Sequence, residues 1–161
     1  MKYTLIVDDR EKLPYSYFGN NVTIKTQVLK TGDYTIEGHE NYFSLERKSL
    51  DDYTESLLKD RFYAELKRLE SFKFKAIIVE GSLEEIRNKE YCSNIHPSSV
   101  FEKTSEILIN YKIPVIFCGD RQHSLMIVTY LAETYLKGLK NKNEVKPRRT
   151  RSSRQSAEDI L

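Results

Sequence analysis

The sequence has few cysteines and histidines and no long apolar run. Cys92 and Cys118 stand alone, without a Cys-x-x-Cys pair, and His39, His96 and His123 are scattered. This spacing argues against a disulfide framework or a zinc site, so we expect buried or half-buried thiols and surface histidines. No apolar stretch is long enough to span a membrane, and the apolar core near the N-terminus is too short for a signal peptide. These absences predict an intracellular protein with no membrane partner.

The net charge is small, +2, but its distribution is uneven. Residues 137–154 hold eight Lys or Arg against one acid, Glu144, a local charge of +7 that leaves −5 for the rest of the chain. A cationic end on a mildly acidic body suits a polyanion such as nucleic acid, although a solvated tail without a partner fits equally well. Because hydrophobic periodicity fades there, we expect one domain over residues 1–138 and a disordered basic tail over 139–161.

Hydrophobic periodicity predicts an α/β domain with a central mixed β-sheet and flanking helices. Ser49 and Asp52 form a predicted capping box for one helix with apolar residues from 50 to 69. Further helices are expected from Pro97 to residue 111 and after Asp120. Strands are predicted over residues 3–8, 22–29 (exposed on one face), 33–37, 42–48, 75–81 and 113–119.

Three polar residues of the predicted hairpin form a candidate site. Asp33 begins one strand, and Glu46 and Lys48 share a face of its partner because side chains alternate along a strand. Two converging carboxylates form a hard-oxygen site suited to Mg²⁺, and a nearby ammonium can orient a water or stabilise charge on a phosphate. The pattern therefore indicates phosphodiester hydrolysis. Because Asp, Glu and Lys are common residues, the pattern by itself is weak, and a solvated strand face with cross-strand ion pairs explains these three residues better.

Several motifs occur in a fixed order around these residues. They are VDxRE at residues 7–11, GDY at 32–34, ERKxxxD at 46–52, a helix with Arg61, and an apolar strand ending in Glu80-Gly81. Over residues 4–136 this series resembles the nuclease domain of XPF-family structure-specific DNA endonucleases. The resemblance implies a restriction-endonuclease-like nuclease core.

The resemblance also implies residue roles. Asp33 and Glu46 would be the principal ligands of Mg²⁺ or Mn²⁺, with Asp8 beside them, and Lys48 would be the catalytic lysine. The remaining implied site residues are Arg10 and Arg47, which would grip phosphates or hold the acids, Asp52, which would support the site, and Glu11, which would help shape it. Strand alternation leaves a structural ion pair open for Arg47, and helix capping is an equally good explanation for Asp52.

The chain departs from the family pattern in two places. The family often has Gln four positions after the helical Arg, whereas this chain has Glu65, which predicts an ion pair with Arg61. The helix-hairpin-helix modules common in the family have no counterpart in the remaining residues, which fits a standalone prokaryotic or phage enzyme. DNA contacts are therefore expected from Arg10, from Arg61, from another subunit, or from the tail residues Lys146, Arg148, Arg149 and Arg151.

Two apolar features have competing explanations. Leu125, Val128, Leu131, Ala132 and Tyr135 share a helix face that fits either pairing with a second or related subunit or, better, ordinary core packing. Tyr15, Tyr17 and Phe18 follow the first motif and fit either the edge of the core or, less well, platforms for unpaired bases.

Taken together, the residues and the resemblance predict a metal-dependent DNA endonuclease acting at branched, flap or fork structures. The alternative is an inactive nuclease-like subunit that docks on DNA or on an active partner. Because Asp33, Glu46 and Lys48 are all present, the sequence favours the active enzyme.

Overall fold

The structure is a computed structural model that describes residues 1–16 and 18–144. The predicted alternation of strands and helices is present, and a short helix, Leu83–Arg87, was not predicted. The strands are β1 (Tyr3–Asp8), β2 (Val22–Gln27), β3 (Tyr34–Ile36), β4 (Phe43–Ser49), β5 (Phe74–Glu80) and β6 (Val115–Phe117). The helices are α1 (Leu50–Ser56), α2 (Asp60–Glu70), α3 (Leu83–Arg87), α4 (Pro97–Tyr111) and α5 (Arg121–Glu144).

The six strands form one mixed sheet in the order β2-β1-β3-β4-β5-β6, which confirms the predicted fold class. β3 pairs antiparallel with both β1 and β4, and the other neighbouring strands pair in parallel. The carboxyl ends of β1, β4 and β5 therefore meet at one edge of the sheet, together with the amino end of β3. Polar side chains at the ends of these strands are brought together there, as in other open α/β sheets.

Each face of the sheet carries its own hydrophobic core. Ile77 and Val79 of β5 face a cluster that includes residues of α1, α2 and α4. Ile78, one residue along, faces the opposite cluster, where α5 contributes the fully buried Val128 and Ala132. The predicted apolar face of α5 thus packs in the core, whereas Met126 and Tyr130 beside it are exposed. This division of the two faces determines which helix covers each polar side chain at the sheet edge.

The prediction of a single helix after Ser49 is wrong, because the helix is interrupted between α1 and α2. Leu58 and Lys59 bond to carbonyls three residues back, and Lys59 has an extended backbone (φ −117°, ψ 125°). Leu57 and Phe62 are both buried but five positions apart, a spacing that one 3.6-residue period cannot align. After the interruption, α2 begins in an orientation that turns Phe62 toward the sheet. Leu58, which lies in the interruption, is exposed.

Other expectations also need correction. Strand β2 is an edge strand with five of its six residues exposed, so it does not bury one face. Cys92 is exposed and donates its backbone N–H to Asp51. His39 is half-buried against the ring of Tyr135, whereas His96 and His123 lie at the surface as predicted. Local sequence patterns carry no information about these long-range contacts.

The aromatic residues after the first motif belong to the core. Tyr15 and Phe18 are 3% and 7% exposed and pack on the ring of Tyr34, so they are not free stacking platforms. Tyr17 lies outside the described residues. The last helix continues to Glu144, six residues beyond the point where periodicity fades, and the tail residues from 145 onward lie outside the described range. None of the described helices is long and apolar enough to cross a membrane.

Candidate active site

Three acids from three strands line one cleft at the sheet edge. Asp8 ends β1, Asp33 immediately precedes β3, and Glu46 lies within β4. The predicted convergence of these three residues is present in the structure. Helix α2 covers the cleft, whose volume is about 230 Å³. Its walls are formed by Asp8, Arg10, Lys30, Thr31, Gly32, Asp33, Glu46, Arg61, Phe62, Glu65, Leu66, Arg68, Leu69 and Ile77.

Asp33 is held by backbone contacts from both neighbouring strands. Its N–H donates to the carbonyl of Leu45 (2.8 Å), and its own carbonyl accepts from the N–H of Asp8 (2.8 Å). Its Oδ2 accepts from the backbone N–H of Arg47 at 2.7 Å. Gly32 sets the turn with φ +79°, and a Cβ there would lie 2.2 Å from Ser44 Oγ, so the close approach requires glycine. The backbone conformation and tight packing of this turn therefore explain the glycine of the GDY motif.

Burial makes Asp33 and Glu46 hard to ionise. Burial first, and then the charge of Glu46, raise the pKa of Asp33 to about 8. Burial also raises the pKa of Glu46, with further repulsion from Glu65 and Glu11, although the ammonium of Lys48 opposes the shift. Two half-buried carboxylates that repel one another form a site that a bound cation would stabilise.

Asp8 is already paired with Arg10. The guanidinium donates to both carboxylate oxygens, with an Nε–Oδ1 distance of 3.0 Å, and also to the carbonyl of Leu29. Burial alone would raise the pKa of Asp8, but the hydrogen bonds from Arg10 outweigh it and lower that pKa. Of the two roles implied for Arg10, holding an acid is the one that its contacts display.

Lys48 and Asp52 are not among the residues that line the cleft, although Lys48 contacts two residues that do. The ammonium of Lys48 lies 3.2 Å from Glu46 Oε1 and 5.2 Å from the centre of the Phe62 ring. Asp52 is exposed in the first turn of α1, where its backbone N–H donates to Ser49 Oγ (3.1 Å). The predicted N-cap at Ser49 is confirmed, but among the described contacts the Asp52 side chain does not return the hydrogen bond that would complete the predicted capping box. The catalytic role implied for Asp52 stays a prediction.

Arg47 lies on the other face of the sheet, where it forms the ion pair that alternation left open. Its Nε and Nη2 donate to the two carboxylate oxygens of Glu80 at 2.8 and 2.6 Å, and Nη1 lies 3.4 Å from Glu11. Glu80, the partner of Arg47, was not predicted as a functional residue. Its signal was a carboxylate at the end of an otherwise apolar buried strand.

Basic residues form the rim of the cleft. Arg61 on α2 is largely exposed, and its Nε lies 3.1 Å from Glu65, which confirms the predicted ion pair. Lys30 and Arg68 also line the cleft and were not predicted. The four predicted tail contacts, Lys146, Arg148, Arg149 and Arg151, lie outside the described residues.

Two residues of the cleft, Asp33 and Glu46, have carboxylate oxygens suited to a hard divalent cation. In the part of the chain that the structure describes, no three His, Cys, Asp or Glu side chains are grouped so as to hold a metal. Within that part, Asp33 commits Oδ2 and Glu46 commits Oε1 to hydrogen bonds or ion pairs, which leaves Oδ1 and Oε2 for a ligand. Mg²⁺ requires only one or two carboxylates when water and phosphate complete its shell.

Comparisons with known proteins agree on one family. Residues 7–131 match the family model of the ERCC4 domain. The chain is 26% identical over 149 residues to the 3'-flap repair endonuclease Xpf of Saccharolobus solfataricus, which covers 90% of this chain and 61% of that protein. It is 27% identical over 146 residues to a Methanocaldococcus jannaschii protein named "Putative ATP-dependent RNA helicase", covering 91% of this chain and 16% of that protein. The chain thus spans only part of both relatives.

Solved structures share the fold. XPF from Aeropyrum pernix superposes with a TM-score of 0.66 at 22% identity, covering 88% of this chain and 69% of that one. The same protein in complex with DNA gives a TM-score of 0.66 at 22% identity, covering 92% and 70%. The mixed six-stranded sheet and its flanking helices are therefore those of XPF.

Proposed function

Because this chain belongs to the ERCC4-domain family, we propose that it is a divalent-metal-dependent endonuclease that hydrolyses DNA phosphodiester bonds. The family match confirms the resemblance that the ordered motifs predicted. The observation that supports the activity best is the pair Asp33 and Glu46, two half-buried carboxylates in one cleft. Each has a raised pKa and, among the described residues, one oxygen that is not committed to a hydrogen bond or ion pair.

Asp33 and Glu46 would hold Mg²⁺ or Mn²⁺, with Asp8 as a further or water-mediated ligand. The bound ion would neutralise phosphate charge and lower the pKa of a coordinated water. Lys48 forms a 3.2 Å ion pair with Glu46, and in this proposal its ammonium would assist the attacking water. Arg10 keeps Asp8 ionised and oriented. The backbone N–H of Arg47 fixes the Asp33 carboxylate.

Branched DNA is the proposed substrate class. One relative is named as a 3'-flap repair endonuclease, and the structural match includes a protein in complex with DNA. The exposed Arg10 and Arg61 at the mouth of the cleft supply cationic groups for phosphates. Pairing with a second copy or a related subunit is part of the proposal, and it would use exposed residues of α5 such as Met126 and Tyr130.

A cleavage assay tests this function. Purified protein is incubated with labelled flap, fork and linear DNA in Mg²⁺, Mn²⁺ or EDTA. We expect wild type to cut branched DNA only with a divalent ion, and Asp33→Ala and Glu46→Gln each to lose at least about a hundredfold in rate. Glu102→Gln, an exposed acid on α4, is the control and should cut normally. Equal cutting by the Asp33 and Glu46 variants would assign the activity to a contaminant, and DNA binding without cleavage by wild type would favour a docking subunit.

A further inference from the structure

A buried cluster of charges lies behind the acidic cleft, on the opposite face of the sheet. The side chains of Arg47 and Glu11 are each 7% exposed, and that of Glu80 is 12% exposed. Glu80 accepts four hydrogen bonds: two from Arg47, one from Tyr15 (2.9 Å) and one from Arg121 (3.1 Å). Arg47, Glu11 and Glu80 are therefore largely desolvated, and Glu80 is the acceptor that Arg47, Tyr15 and Arg121 share.

Glu80 links three separate segments of the chain. Arg47 belongs to β4, Arg121 begins α5, and Tyr15 belongs to the loop after β1. Arg121 also donates to the carbonyls of Leu13 and Pro14, and its guanidinium lies 4.6 Å from the centre of the Tyr15 ring. The carboxylate at the end of β5 therefore fixes the positions of β4, of this loop and of the start of α5 relative to one another.

One of these links reaches the cleft through the backbone. Arg47 presents its side chain to Glu80 on one face, while its backbone N–H donates to Asp33 Oδ2 at 2.7 Å. The neighbouring Glu46 presents its side chain to the cleft. A shift of Arg47 caused by loss of its partner would therefore move the hydrogen bond that orients Asp33 and the strand segment that carries Glu46.

We propose that Glu80 is a positioning residue of the nuclease site, acting through Arg47 to hold Asp33 and Glu46 in place from behind the sheet. This inference rests on the proposed function for its kinetic consequence. Glu80 touches none of the reacting groups, so its effect is on the alignment of the carboxylates and not on DNA binding. Substitution at Glu80 is expected to lower kcat and leave affinity for DNA unchanged.

Glu80→Gln is the main variant. Glutamine can accept from one guanidinium N–H but presents its own NH₂ to the other, and it lacks the negative charge. We expect kcat on branched DNA to fall about 10- to 100-fold, with the Kd for the same DNA in EDTA within about twofold of wild type. Glu80→Asp keeps the charge on a shorter side chain and should give an intermediate loss. Val128→Ala, a core change under the same face, controls for general destabilisation and should keep kcat near wild type.

A second readout does not depend on activity or metal. In a ¹H–¹⁵N spectrum of metal-free protein, the short bond to Asp33 should place the Arg47 amide proton downfield. Glu80→Gln should move it upfield, Glu80→Asp should move it less, and Val128→Ala should leave it unchanged. If the Glu80→Gln variant does not fold, kcat and the Arg47 amide shift are both measured on Glu80→Asp. A wild-type kcat together with an unmoved Arg47 amide proton in either Glu80 variant would overturn the proposal. An inactive wild-type protein would overturn the nuclease function instead. The amide measurement would then still test whether Glu80 positions Asp33 through Arg47.

Discussion

At the scale of single residues, Asp33 couples the stability of the metal-free protein to pH. Its pKa is raised to about 8 in the folded protein, from an ordinary value of 3.8. Between these values the folded state binds more protons than the unfolded state, so the free energy of unfolding falls as pH rises. The stabilisation is complete below pH 3.8 and is lost as pH passes through about 8. The carboxylate that we propose as a metal ligand thus destabilises the folded protein at high pH when no cation is bound.

Asp33→Asn should therefore stabilise the protein in EDTA at pH 8, because the amide cannot ionise. We expect an increase in the free energy of unfolding on the order of 1 kcal/mol or more, since each unit of pKa difference corresponds to about 1.4 kcal/mol. Urea denaturation at pH 8 and near pH 4 measures the effect, which should nearly vanish at the lower pH.

The exposed Glu102→Gln change serves as the control for this stability measurement and should alter unfolding little at either pH. A destabilised Asp33→Asn protein at pH 8 would contradict the prediction. It would show that the hydrogen bond from Arg47 outweighs burial and repulsion at Asp33.

At the scale of elements, strand alternation explains how much of the site is predictable. Glu46 and Lys48 fall on one face of β4 and Arg47 on the other, as a period of two requires. The turn at Gly32 and the cap at Ser49 are also local features with local signals. Local patterns therefore predicted that Asp33 and Glu46 lie close together, whereas Asp8 was expected beside them only from the family resemblance.

Pairing between distant segments was not predictable from the sequence. Glu80 reaches Arg47 because β5 lies parallel to β4 with Ser49 opposite Glu80, a register that no local pattern encodes. Lys30 and Arg68 become cleft residues only when α2 folds over the sheet edge. The break at residues 57–59 lets both Leu57 and Phe62 pack in one core, which no local pattern encodes.

The basic side chains that α2 brings to the cleft should contact DNA. Substituting both Arg61 and Arg68 with Gln should weaken binding to labelled DNA in EDTA and reduce the slope of log K against log salt by about two. Arg87→Gln is the matched control, because Arg87 is an exposed arginine on α3 paired with a neighbouring glutamate. An unchanged slope in the double variant would place the DNA path elsewhere.

At the scale of the whole molecule, positive charge is concentrated beyond α5. Residues 145–161 hold five Lys or Arg and two acids, a net of +3 in a chain whose total is +2. The body that carries the acidic cleft is therefore close to neutral or slightly negative by itself. Long-range attraction to DNA would then come mainly from the tail, while the cleft residues act at short range.

Removing residues 145–161, which leaves α5 complete at Glu144, should separate these two contributions. We expect DNA affinity in EDTA at low salt to fall at least about tenfold and its salt dependence to decrease, because fewer counterions are released on binding. The Mg²⁺ concentration for half-maximal cleavage at saturating DNA should stay unchanged, since Asp33 and Glu46 lie in the retained domain. Fluorescence anisotropy over a salt series measures the first effect, and thermal unfolding verifies that the truncated protein is folded. Unchanged affinity would show that the body alone binds DNA, and an altered Mg²⁺ requirement would show that the tail reaches the cleft.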